Sequence, residues 1–192
     1  MMKRILLIFS AVIMTTSAAG QDLEISVAPT VNFPVYKALE GGAGHNPGTG
    51  FSITFGYLAA QKQFIAWTIG LGYHFVRIKT DPMFNGVYDP LPYTESCSLI
   101  SFSIGAVSNL RNNFFIAFGP AMDLQLNQKG QRTIERQTGL GFSLSGGKNI
   151  SLDNNLGLRI RPEIRSHNLI PFQGWDYPLR LLVAGLNIGL IF

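Results

Sequence analysis

Along most of the chain, apolar and polar residues take turns one by one. Phe51, Ile53, Phe55 and Tyr57 interleave with Ser52, Thr54 and Gly56. Ile65, Trp67, Ile69, Leu71, Tyr73 and Phe75 interleave with Ala66, Thr68, Gly70, Gly72 and His74. The same rhythm runs from Phe114 to Leu124 and through Leu140, Phe142 and Leu144. It returns in Leu156, Leu158, Ile160 and Ile164, and again in Leu182, Leu186, Ile188, Leu190 and Phe192. Two fainter stretches carry it at Leu23 to Phe33 and at Ile100 to Ala106. Period two places successive side chains on opposite faces and is the mark of a strand, not a helix. The pattern predicts eight strands.

The connections have a rhythm of their own. Polar, Gly-rich residues 37–49 form a long link, residues 60–63 a short one, and residues 80–92 a long one. Residues 108–113 are then short, 127–137 longer, 147–155 shorter and 166–177 long. Long and short loops alternate when strands run up and down through a membrane, with long loops outside and tight turns in the periplasm. The expectation is therefore an all-β, eight-stranded antiparallel up-and-down transmembrane β-barrel with both termini periplasmic.

Alternation alone does not say which face meets solvent. The polar face is mostly Gly, Ala, Ser and Thr rather than Lys and Glu, which suits a narrow lumen. Aromatics such as Phe51, Tyr57, Tyr73, Phe75, Phe114 and Phe192 fall near strand ends, where interfacial girdles sit. The inverted arrangement, apolar outside, is preferred over a soluble lipocalin-like ligand carrier, whose interior would be the apolar face. Pro29, Pro120 and Pro162 interrupt strands and predict bulges or displaced strand ends. Thr94, Ser96 and Ser98 would face lipid in an unbroken fourth strand, so that part is expected to project above the membrane.

Composition sharpens this. Charged residues are 14% of the chain, against about 25% in soluble domains. Lys3 and Arg4, the apolar run Ile5 to Met14 and the small residues up to Gly20 form a secretory signal peptide over residues 1–20. The barrel domain is then residues 21–192. Without Lys3 and Arg4, the 15 Lys+Arg fall to 13 against 11 Asp+Glu, so the pI overstates how basic the domain is. No basic stripe points to nucleic acid. The lone Cys97 excludes an intrachain disulfide, and no Cys/His spacing suits a metal. No cofactor is expected.

The C-terminal run from Gly185 to Phe192 resembles the last strand of outer-membrane β-barrel proteins. By that resemblance Leu186, Ile188, Leu190 and the terminal Phe192 form the signal read by the barrel-insertion machinery. The remainder resembles small barrels of the OmpX/OmpA transmembrane type, closest in style to the PorT-like outer membrane protein β-barrel family. The likeness implies location in the bacterial outer membrane and a fold, but no activity.

The most unusual local feature is Arg159, Arg161, Glu163 and Arg165 on one face of one strand. In a barrel all four point into the lumen, where unpaired charge is costly. Asp123, Glu95 and Glu24 share the inward set of other strands and complete an expected lumen charge network. An Arg-lined anion path and an interface for an envelope protein partner are the competing uses. Arg77, Lys79 and Arg180 near the outer strand ends are candidate contacts to lipopolysaccharide phosphates. His74 is expected to fill the lumen near the outer rim. Ser166 and His167, with Asp176 nearby, form the one arrangement that hints at acid–base chemistry, and no family motif surrounds them. The loops carry Phe84, Tyr88, Tyr93, Phe172, Trp175 and Tyr177, suited to a partner or glycan. The expected function is non-enzymatic: envelope structure, adhesion, or a subunit of a secretion or assembly complex, acting through loops and rim. A narrow channel for small ions or solutes is the alternative.

Overall fold

The structure, a computed structural model, describes residues 22–35, 44–59, 64–82, 91–129, 136–153, 156–172 and 179–192. The signal segment, Asp176, and the loop aromatics Phe84, Tyr88, Trp175 and Tyr177 lie outside the described residues. The strands are β1 (Asp22–Val35), β2 (Gly44–Asn46), β3 (Gly48–Ala59), β4 (Ile65–Asp81) and β5 (Tyr93–Asn109). They continue with β6 (Phe114–Lys129), β7 (Gly139–Asp153), β8 (Leu156–Pro171) and β9 (Arg180–Ile191).

Every pairing is antiparallel, and β4–β5 and β1–β9 contacts close the sheet into a barrel. At the seam, Leu23 and Phe192 exchange backbone hydrogen bonds of 2.9 and 3.2 Å. β2 and β3 together make one stave of eight. The β3–β4 register at Phe51↔Phe75 slips by one residue at Asn46↔Lys79, with Pro47 between. Residues 44–50 therefore belong to the sheet and not to the preceding loop. β7 likewise runs to Asp153 and β8 to Pro171, both further than the hydrophobic pattern reaches. Ladder bonds hold these ends in the sheet.

The strand ends joined by short connections lie at one end of the barrel with Asp22 and Phe192; those joined by long connections lie at the other. The β5–β6 turn closes through a single 3₁₀ turn at Arg111–Asn113. Asn112 and Asn113 there have φ of 60° and 62°, a left-handed backbone that Asn tolerates better than most residues.

The prolines do not produce the anticipated bulges. Register is the same on both sides of Pro29 (Val27↔Ile188, Thr30↔Gly185) and of Pro120 (Ser103↔Ala121, Ala106↔Phe118). It is also unchanged across Pro162 (Ser145↔Glu163, Lys148↔Ile160). Each proline faces outward and interrupts pairing toward one neighbour only, while it stays paired with Phe51, Phe142 or Leu186 on the other side. The register shifts fall elsewhere, between Ser98/Leu99, Leu140/Phe142 and Ser151/Asp153. The second of these lies opposite Asn168, whose φ of 54° turns His167 and Asn168 inward together.

The alternating pattern resolves into an apolar exterior and a polar interior. Ile69, Leu71, Phe102, Ile104, Phe118, Leu144, Leu186 and Ile188 are exposed, whereas Glu24, Asn32, Asp123, Arg159, His167 and Asn187 are buried. A lipocalin-like interior is thereby excluded: the face that would hold its ligand is outside. Two buried apolar clusters lie inside the barrel. Val76, Ile78, Cys97, Leu99, Leu179 and Leu181 pack together at the long-loop end. Ala66, Val107 and Phe115 do so at the short-turn end, with Ala117 against them.

Candidate functional site

Between these clusters stands a column of charge. β8 supplies its spine, because Arg159, Arg161, Glu163, Arg165 and His167 are alternate residues of one strand and so share its inner face. β1 and β6, each one strand removed from β8, and β4, from across the barrel, bring partners.

At the foot of the column, Glu24 accepts from two guanidiniums. Arg159 Nη1 donates to Glu24 Oε2 at 2.8 Å, and Arg161 Nη1 donates to the same oxygen at 3.0 Å while lying 2.8 Å from Oε1. Arg159 also donates through Nε to Asn149 Oδ1 at 2.7 Å, and its guanidinium sits 4.5 Å over the Phe115 ring. Glu24 is 4% exposed and Arg159 2%, so the pair is desolvated on both sides. Glycine makes this approach possible: a Cβ at Gly189 would lie 2.9 Å from Glu24 Oε1.

Higher up, Glu163 joins the next two arginines. Its Oε1 accepts from Arg165 Nε at 3.0 Å, and its Oε2 lies 3.7 Å from Arg161 Nε and accepts from Asn187 Nδ2 at 2.9 Å. Arg165 Nη1 then reaches His74 Nε2 at 3.1 Å. A guanidinium has only donors, so His74 is the acceptor and carries its proton on Nδ1. The rings of His74 and His167 meet edge to face with centroids 5.0 Å apart. His167 Nδ1 donates to Asp123 Oδ2 at 2.9 Å, and Ser101 Oγ donates to Asp123 Oδ1. Gly141 leaves the space for that carboxylate, since a Cβ there would come within 2.7 Å of Asp123 Oδ2.

The arrangement brings together six of the seven charged residues named from the sequence: Glu24, Asp123, Arg159, Arg161, Glu163 and Arg165. Glu95 is fully buried but stands apart. It lies six residues beyond Ser101 on β5, about 20 Å along the strand, beside Cys97 and His45. There burial lowers the His45 pKa, partly offset by the Glu95 charge. Burial also pushes the Cys97 thiol up to about 12, with Glu95 adding to the rise.

His167 belongs to this column, bonded to Asp123 and packed edge to face on His74. Sequence reasoning stopped the strand at Arg165. Counting one more inward step would have reached His167; the Asn168 bulge that carries the strand on has no comparable signal. Asn149, Asn187 and Phe115 were also missed, because an amide or ring on an alternating strand looks the same whether it has a partner or not.

A cavity of about 50 Å³ remains beside the column, between Arg161, Glu163 and Arg165 on one side and Thr54, Thr68 and Ser103 on the other. That is room for about three or four water molecules. Among the described residues no group of His, Cys, Asp and Glu has the makings of a metal site.

Outside the barrel, Leu186, Ile188, Leu190 and Phe192 all face outward and are exposed. Arg77 and Lys79 are exposed on the outer face of β4, whereas Arg180 is half-buried on β9, with β1 and the β2/β3 stave between.

This architecture has solved counterparts. Neisserial surface protein A matches over 90% of this chain and 96% of its own, with a TM-score of 0.54 and 12% identity. The outer membrane protein OprG from Pseudomonas aeruginosa matches over 91% and 96%, with a TM-score of 0.52 and 14% identity. The fold is that of the small outer-membrane barrels. No protein-family model matches the chain, and no curated protein sequence does. The finer likeness to the PorT-like family has no support in these matches.

Proposed function

We propose that the chain is a non-conducting outer-membrane β-barrel that works at its long-loop end, outside the cell, with both termini and the short turns in the periplasm. It acts there in adhesion, in envelope structure or as a subunit of a larger assembly. The observation that carries this is the packed lumen: among the described residues a paired column of charge stands between two buried apolar clusters. An eight-stranded barrel is only just wide enough to be filled by its side chains. The exterior supports the location, since an exposed apolar belt on every stave is intolerable in water and suits lipid. Strands of 9–11 residues cross a bilayer at the usual tilt, so β4 and β5, at 17 residues each, stand beyond it. The outward Leu186, Ile188, Leu190 and Phe192 present to the insertion machinery the pattern it reads.

The Asp123–His167 pair does not argue for an enzyme. Both side chains are 0% exposed, and Ser101 bonds to the carboxylate and not to the imidazole. The test is conductance of the refolded barrel in a planar bilayer. Wild type and Arg161→Ala are both expected to stay silent, since neither apolar cluster is touched. Steady ohmic steps from wild type would overturn the proposal in favour of a narrow channel.

A further inference from the structure

The outer wall of β4 and β5 changes character where the strands leave the apolar belt. Successive outward positions on β4 are Tyr73, Phe75, Arg77 and Lys79. Their cross-strand partners on β5 are Ile100, Ser98, Ser96 and Thr94, in one unbroken register. Below the cations lies a fixed aromatic shelf. Phe51 packs on Phe75 at 5.5 Å and on Tyr73 at 6.1 Å, and the Tyr73 hydroxyl is 3.0 Å from Ser98 Oγ. The Arg77 guanidinium stacks over Phe75 at 5.2 Å, which holds its donors above the shelf. Lys79 stands two residues on, about 7 Å further along the strand. Asp81, the next outward residue, is taken by the Asn46 amide.

Two exposed cations with Ser96 and Thr94 opposite them make a set of donors fitted to a phosphate group. An apolar shelf directly underneath is of no use to a free phosphate, and Phe51 is nevertheless 44% exposed. Aromatic side chains sit at the level where headgroups meet acyl chains. We infer that this wall binds the phosphate-bearing headgroup of an outer-leaflet lipid, with Arg77 and Lys79 on the phosphate and the acyl chains along Phe51 and Phe75. Arg180 takes no part, being on the far side of β1 and the β2/β3 stave. The inference rests on the outer-membrane proposal above and gives it a ligand.

The test uses the full refolded barrel in a zwitterionic detergent. Binding of diphosphorylated lipid A, and of the same lipid stripped of its phosphates, is measured by native mass spectrometry. Wild type is expected to prefer the phosphorylated lipid by about tenfold or more, the range of two charge-assisted hydrogen bonds. Arg77→Gln with Lys79→Gln abolishes the preference, whereas Arg111→Gln, which removes a cation at the opposite end, leaves it. Lys79→Gln alone reduces it several-fold and stands in should the double variant not refold. No preference in wild type, or a preference that survives these Arg77 and Lys79 variants, overturns the site. Heat-dependent gel mobility of the same samples separates the two levels. A wild-type barrel that shifts normally but does not discriminate refutes the lipid site alone. A wild type that shows no shift refutes the membrane proposal beneath it.

Discussion

On one side of the lumen, β8 and β1 carry Arg159, Arg161, Glu163, Arg165 and Glu24; on the other, β3 to β7 present Thr54, Gly70, Ser103, Gly105 and Ser143. The first wall consists of long side chains whose charges are matched across strands. At the level of the cavity the second is small, built of glycine, serine and threonine. The difference follows from cross-section: eight strands fix the bore, so long side chains on one wall require short ones opposite. Each wall therefore fails in its own way, the charged one by losing a partner and the small one by gaining bulk.

The largest effect is expected at Glu24, which serves two guanidiniums at once. Glu24→Gln leaves both arginines short of a counter-charge and should destabilise the barrel by about 3–5 kcal/mol. Urea unfolding followed by gel mobility reads this; a loss below about 1 kcal/mol would mean that the column is not what holds the wall. That cost measures the penalty of stranding charge and not the net worth of the pairs, which is generally small once desolvation is counted.

The small wall should respond less, and unevenly. A Cβ at Gly105 would lie 2.9 Å from the Phe118 carbonyl, so Gly105→Leu has no room and should cost about 1–3 kcal/mol in the same assay. Ser143 borders the cavity, and Ser143→Val should stay under about 1.5 kcal/mol. Both positions border the cavity, so equal costs would show that the backbone contact at Gly105 does not govern the response.

The smallest perturbation sharpens a second contrast, between the column and the apolar cluster above it. Cys97 lies in that cluster, above the aromatic shelf, with its thiol pushed up to about 12 by burial. At pH 8 only about one folded molecule in ten thousand carries the thiolate. Maleimide should label Cys97 in denaturant and hardly at all in the folded barrel, with no change in stability. Rapid labelling of the folded protein would show the cluster to be open. The sign in pH follows: between the ordinary thiol value of 9.0 and about 12 the unfolded chain ionises first, so this group lowers stability as pH rises there.

What the sequence determined by itself was class, strand number and facing. Period-two alternation is a local consequence of the pleat, and low charge with a Gly/Ser/Thr inner face already separates a membrane barrel from a lipocalin. The inward parity of Arg159, Arg161, Glu163 and Arg165 was legible for the same reason. Only the tertiary structure decided who pairs with whom. Glu24 lies 135 residues from Arg159, and His74 lies 91 from Arg165, so their meeting depends on stagger around the closed sheet. That stagger includes a bulge at Asn168 and prolines that leave the register intact, neither of which alternation can express. The pattern ended at residue 165 because Ser166, His167 and Asn168 break the alternation, with His167 and Asn168 both inward, before the outward Leu169 and Ile170. Ladder hydrogen bonds, which do not depend on side-chain polarity, carry the strands on beyond it.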